Sequence, residues 1–135
     1  MSTAVGDDAV DRVLEELAFD DDGLVPAIAQ QHDSGEVLMM AWMNRDALAE
    51  TLKSGRVCYW SRSRQKLWRK GKTSGQVQVL KDMRWDCDAY TLLVLVDQSG
   101  VACHTGRRNC FFNAVRDGKP AVIAAPEIDP KDLYD

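Results

Sequence analysis

At 135 residues, 45% apolar and 28% charged, the chain has the size and balance of one soluble globular domain with a core that needs no staples. A formal net charge of −4 argues against a dedicated nucleic-acid binder. The longest apolar runs, near Leu92–Val96 and Ala121–Ala125, are far too short to span a bilayer.

The segment Met1–Asp7 has neither a basic n-region nor an apolar h-region, so no signal peptide is expected. From Asp8 to Phe19, Val10, Val13, Leu14 and Leu17 recur at helical spacing and predict a short amphipathic helix with a strongly acidic outer face. Val25–Gln31 and Glu36–Met43 read as strands joined by the turn His32-Asp33-Ser34-Gly35. Asn44 is a good N-cap for a helix through Ala47, Leu48 and Leu52 that stops at Gly55. Arg56–Ser61, rich in Val, Tyr and Trp, predicts a further strand.

Residues 62–75 lack either period and predict a loop. This loop is basic, because Lys53 to Lys81 contains no carboxylate while Arg62, Arg64, Lys66, Arg69, Lys70 and Lys72 accumulate. In an acidic protein that suggests a local anion site, although many such runs are simply solvated surface. Gln76–Leu80 and Tyr90–Val96 read as strands, the second apolar enough to be central. Phe111–Val115 and Ala121–Ala125 predict a last hairpin about Asp117-Gly118, followed by an acidic surface tail interrupted at Pro130. The expectation is a single α+β domain over 1–135, predominantly antiparallel β of sandwich or barrel type, with two or three short peripheral helices.

Cysteines and carboxylates are interleaved in this chain. Cys87 lies between Asp86 and Asp88, and Cys103 and Cys110 bracket the segment His104-Thr105-Gly106-Arg107-Arg108-Asn109. Thiolates are soft ligands and carboxylates hard ones, which suggests two different metals held close together. If residues 86–90 are extended, Asp86, Asp88 and position 90 face one way and Cys87 the other. Three cysteines are one ligand short of a closed structural zinc site and suit a catalytic one that keeps a water. Read singly, each cysteine is equally a small buried hydrophobe, the preferred reading for Cys58, and Asp86 and Asp88 are ordinary turn carboxylates. A reducing, cytoplasmic setting is expected, where metal binding or burial suits four cysteines better than disulfides.

The combined string resembles the phosphoribosyl-AMP cyclohydrolase family of histidine biosynthesis over roughly residues 23–118. The resemblance rests on Val37-Leu38-Met39-Met40-Ala41-Trp42-Met43-Asn44, Tyr59-Trp60-Ser61-Arg62-Ser63-Arg64, Leu67-Trp68-Arg69-Lys70-Gly71-Lys72-Thr73-Ser74-Gly75, Asp86-Cys87-Asp88, and Cys103-His104-Thr105-Gly106 followed by Cys110-Phe111. It implies an intertwined homodimer with active sites at the subunit interface. It also implies zinc held by Cys87, Cys103 and Cys110, one of them from the partner chain, and magnesium held by aspartates at the first, third and fifth motif positions. Here those are Asp86, Asp88 and, as a departure, Tyr90. A phenol with a pKa of about 10 is a poor magnesium ligand at neutral pH. Lys72, where the family commonly has glutamate, is a lesser departure.

The implied reaction is hydrolytic opening of the adenine ring of phosphoribosyl-AMP at N1–C6, by zinc-activated water with magnesium assistance. His104 is the candidate to shuttle a proton or support a ligand, and Arg107 and Arg108 are candidate counter-cations for three thiolates. Arg62, Arg64, Lys70 and Ser74 are the candidate phosphate contacts, and Trp60 or Trp68 could stack on the base or belong to the core. A substrate-binding but impaired variant, owing to Tyr90, is one alternative. A zinc-stabilised RNA-binding module is another. A zinc base deaminase is disfavoured, because H-x-E and P-C-x-x-C are absent.

Overall fold

The computed structural model describes residues 6–133. The signal-peptide reading at residues 1–5 and the last two residues of the acidic tail lie outside them. The elements are α1 (Asp7–Glu16), β1 (Val25–Gln31), β2 (Val37–Met43), α2 (Arg45–Ser54), β3 (Cys58–Ser61), β4 (Lys66–Arg69), β5 (Gln78–Trp85), β6 (Leu92–Gln98), β7 (Asn113–Arg116), β8 (Lys119–Val122) and α3 (Pro130–Leu133).

Six strands form one sheet in the order β4-β3-β2-β1-β6-β5, and β7 and β8 form a separate hairpin. All neighbours in the larger sheet are antiparallel except β1 and β6. The central strands follow their side-chain alternation: β1 buries Val25, Ala27, Ala29 and Gln31, and β6 buries Leu92, Val94, Val96 and Gln98. The sheet curls so that the segment before β3 reaches the edge strand β5. Val57 N donates to Gln78 O at 3.0 Å and Leu80 N donates to Gly55 O at 2.8 Å, tying the segment before β3 to the start of β5. The result is a half-barrel, so the expected α+β class and barrel-like curl are present, with three short helices.

The concave face holds the core. Leu38, Met43, Leu48, Tyr59 and Leu92 are fully buried there. Helix α2 is capped by Asn44, whose side chain accepts from Ala47 N, and is closed by Gly55. It packs Ala47, Leu48, Thr51 and Leu52 inward. Thr51 Oγ1 donates to Ala47 O and accepts from Cys58 N at 2.9 Å, which fixes the helix to β3.

Four expectations are corrected. The basic stretch 62–75 is not all loop, because Lys66–Arg69 pairs with β3 as β4. Its outward face is so charged that the period-two signal is masked. The strand expected to end at Leu80 continues to Trp85, past an irregularity between Leu80 and Asp82 that interrupts the alternation. Residues 86–90 are not extended but turn: Ala89 adopts φ 61° and its N–H donates to Asp86 O at 3.0 Å. The tail is not merely superficial, since Pro130 opens α3 and Leu133 is buried.

Candidate active site

Cys103 and Cys110 come together just beyond the C-terminal end of β6. Cys103 lies in a turn closed by Gly106 N donating to Cys103 O, and Cys110 is anchored by its N–H to Leu38 O at 2.7 Å, at the start of β2. The turn is held from outside by the tail: Glu127 N and Ile128 N both donate to Gly106 O. A Cβ on Gly106 would collide with Ile128 O, so this approach of two chain segments requires glycine.

The two thiols are near enough to influence one another and are not equivalent. Burial pushes the Cys103 thiol up, but hydrogen bonds from the Thr105 hydroxyl and backbone and from Cys110, with the Lys70 ammonium, outweigh it and hold Cys103 below the usual thiol range. The Thr105 hydroxyl donates to Cys103 Sγ at 3.0 Å. For Cys110, burial and the neighbouring Cys103 push the thiol up to about 12. The two sulfurs thus differ in how readily they give up a proton, and both are soft donors of the kind a thiophilic cation prefers. Thr105 is a contact that the sequence reading missed. Its position two residues after a candidate ligand was the available signal.

His104 sits exposed next to Cys103. The cations expected near the pair are committed elsewhere. Arg107 donates to Ala124 O and stacks 4.0 Å from the Phe112 ring centroid, while Arg108 bonds Glu36, Gln31 and the carbonyls of Gln98 and Gly100. Lys70, expected to offer a point charge to phosphate, is instead buried and donates to Ala102 O at 2.6 Å. The following Gly71 has φ +82°, and a Cβ there would strike the backbone of Gln76 and Val77.

Asp86, Cys87 and Asp88 lie at the other end of the β5–β6 hairpin, all exposed. The register makes this plain, since Trp85 pairs with Leu92 at the turn end and Gln78 with Gln98 at the thiol-pair end. The seven residues of β6 span about 20 Å at roughly 3.3 Å per residue. Cys87 is therefore not beside Cys103 and Cys110 within one chain. Among the described residues, no three His, Cys, Asp or Glu side chains gather about one point. Asp86 Oδ1 accepts from Tyr90 N at 2.8 Å and Thr91 N at 3.1 Å, shaping the turn and leaving its second oxygen free of these bonds. Tyr90 is 60% exposed.

The basic residues divide in a similar way. Arg62 and Arg64 are exposed on the β3–β4 turn, with Arg62 stacked 4.6 Å from the Trp42 ring centroid. Trp60 and Arg62 line a cavity of about 350 Å3 with Asp22, Leu24, Asn44 and Gln65. Trp68 is tilted against Tyr59 at 5.5 Å between ring centroids. Ser74 accepts from Gln76 N at 3.2 Å and helps turn the segment after Gly71. Cys58 is fully buried and its thiol is pushed up to about 12, chiefly by burial, which fits a core residue.

Comparison with known proteins bears on this arrangement. A family profile described as phosphoribosyl-AMP cyclohydrolase matches residues 39–112, a stretch that holds Arg62, Lys70, Cys87, Cys103 and Cys110. The chain is 66% identical over 134 residues to a phosphoribosyl-AMP cyclohydrolase of Rhodospirillum centenum, covering 99% of this chain and 98% of that protein. It is 67% identical over 122 residues to a protein of the same name from Alkalilimnicola ehrlichii, covering 90% and 86% respectively.

Proposed function

The chain belongs to the phosphoribosyl-AMP cyclohydrolase family, and from that premise we propose that it opens the adenine ring of phosphoribosyl-AMP at N1–C6, a step of histidine biosynthesis. The observation that carries this reading is the 66% identity that extends over 99% of the chain. The cyclohydrolase reading also explains why an acidic protein keeps a carboxylate-free basic segment, since its substrate bears phosphate groups.

The donor set suits zinc. Cys103 and Cys110 offer paired soft sulfur ligands, one already held below the usual thiol range, and Cys87 is an exposed third. When bound, zinc would supply Lewis acidity that turns water into a nucleophile near neutral pH. His104, exposed beside Cys103, takes a proton from the attacking water and returns one to the leaving N1. Arg62 and Arg64 grip phosphate oxygens with forked donors, and Ser74 adds a hydroxyl contact. Asp86 and Asp88 suit magnesium through their remaining oxygens, with Tyr90 a non-ligand at this turn.

Because β6 separates Cys87 from the thiol pair, a complete ligand set draws Cys87 from a second copy of the chain. This supports a homodimer with two sites of identical composition. A cytoplasmic setting, where thiols stay reduced, suits the free cysteines this site would use. No helix among the described residues is long and apolar enough to cross a membrane.

The test is an assay of ring opening on phosphoribosyl-AMP with purified protein, before and after treatment with a zinc chelator. Turnover that disappears on chelation and returns with added zinc supports the reading. Absence of turnover with zinc and magnesium supplied favours the impaired alternative, in which Tyr90 has cost the magnesium site.

A further inference from the structure

Lys70 is only 6% exposed, and lysine is almost never buried to this degree without a partner. Its ammonium donates to Ala102 O at 2.6 Å and lies 5.3 Å from the Trp68 ring centroid. Neither contact carries a full negative charge. Among the described residues no carboxylate pairs with it, and every carboxylate ion pair goes to another cation. Ala102 immediately precedes Cys103 and its N–H donates to Arg108 O, so the Lys70 bond seats the ammonium at the base of the loop that carries both thiols. Burial pulls the Lys70 pKa down, and the nearby thiols of Cys110 and Cys103 oppose this. Arg107 and Arg108, also near in sequence, are engaged with carbonyls, Phe112 and Glu36.

We propose that Lys70 is the buried counter-cation of the Cys103–Cys110 pair, a positioning residue that offsets the excess negative charge thiolates bring to a bound zinc ion. The inference rests on the zinc assignment made above. Three thiolates around a divalent cation leave one negative charge in excess, which weakens binding in an enclosed site and blunts the acidity of a bound water. One enclosed ammonium restores neutrality without entering the coordination sphere. The backbone holds it there: Lys70 N donates to Val57 O at 3.1 Å, and the residue after it has no room for a side chain. Lysine suits the task as a compact point charge on a long stem.

The experiment measures zinc affinity by chelator competition in wild type, Lys70→Met, Arg69→Gln and Cys103→Ser. Arg69 is the adjacent cation, paired at 2.7 Å with Glu50, and controls for a general loss of charge. The expected result is a fall of about 10- to 100-fold for Lys70→Met, no change for Arg69→Gln and loss of the site for Cys103→Ser. In the cobalt-substituted protein, Lys70→Met should also shift the sulfur-to-metal charge-transfer band, which a role in packing alone would not move. Unaltered zinc affinity in Lys70→Met, with binding still abolished by Cys103→Ser, would overturn the proposal and leave the zinc assignment standing. Equal zinc binding by wild type and Cys103→Ser would overturn that assignment and the proposal with it.

A second measurement does not need Lys70→Met to fold by itself. In a Cys103→Ala/Cys110→Ala chain the ammonium is left without its anions, so adding Lys70→Met should raise the melting temperature. A lower melting temperature on adding it would count against the counter-cation role.

Discussion

Cys103 and Cys58 are both shielded from solvent, yet their thiols are driven in opposite directions. Around Cys58 burial dominates; around Cys103 a hydroxyl, an ammonium and a second thiol outweigh it. Cys103→Ser should therefore remove zinc and turnover together, whereas Cys58→Ala should leave zinc stoichiometry unchanged; metal analysis beside the ring-opening assay checks both. Tyr90 is exposed on a turn whose shape comes from the Asp86 carboxylate and the left-handed Ala89. Tyr90→Asp is thus tolerated by the fold and should raise magnesium affinity by about tenfold or more, the order expected for a regained contact at a metal site. Unchanged magnesium dependence of the rate would indicate a site that does not use this position. The cysteines and aspartates stood out in the sequence because hard and soft ligands rarely alternate. The buried state of Lys70 did not, since nothing in a run of basic residues tells which one turns inward.

At the scale of elements, legibility followed how cleanly each segment keeps its period. β1 alternates without interruption and α2 carries both caps, and both were readable to the residue or nearly so. β4 and the second half of β5 were hidden by charged outer faces and by the irregularity after Leu80. The alternation considered for residues 86–90 does not hold, because the Asp86 side chain, itself a candidate ligand, turns the segment by accepting from Tyr90 N and Thr91 N. Two substitutions test the local account. Asn44→Ala removes the acceptor for Ala47 N and should cost about 1 kcal/mol in urea unfolding, with an unchanged denaturant slope. Gly71→Ala combines a left-handed backbone with a collision against Gln76 and Val77, and should cost on the order of 2–4 kcal/mol. A loss under about 0.5 kcal/mol at Gly71 would mean that the segment relaxes freely.

At the scale of the whole molecule, the curl of the sheet and the length of the β5–β6 hairpin set the chemistry. The hairpin carries Asp86, Cys87 and Asp88 at one end and delivers the chain to Cys103 and Cys110 at the other. The family resemblance pointed to a shared site, but the separation of Cys87 from the thiol pair depends on strand register, which a single sequence does not disclose. Subunit complementation tests this most directly: Cys87→Ser and Cys103→Ser, each inactive alone, are co-expressed so that their chains mix. Half of the randomly paired dimers are mixed, and each keeps one intact site of two, so about a quarter of wild-type turnover should return. Mixed dimers that form but stay inactive would contradict a zinc site completed between two chains.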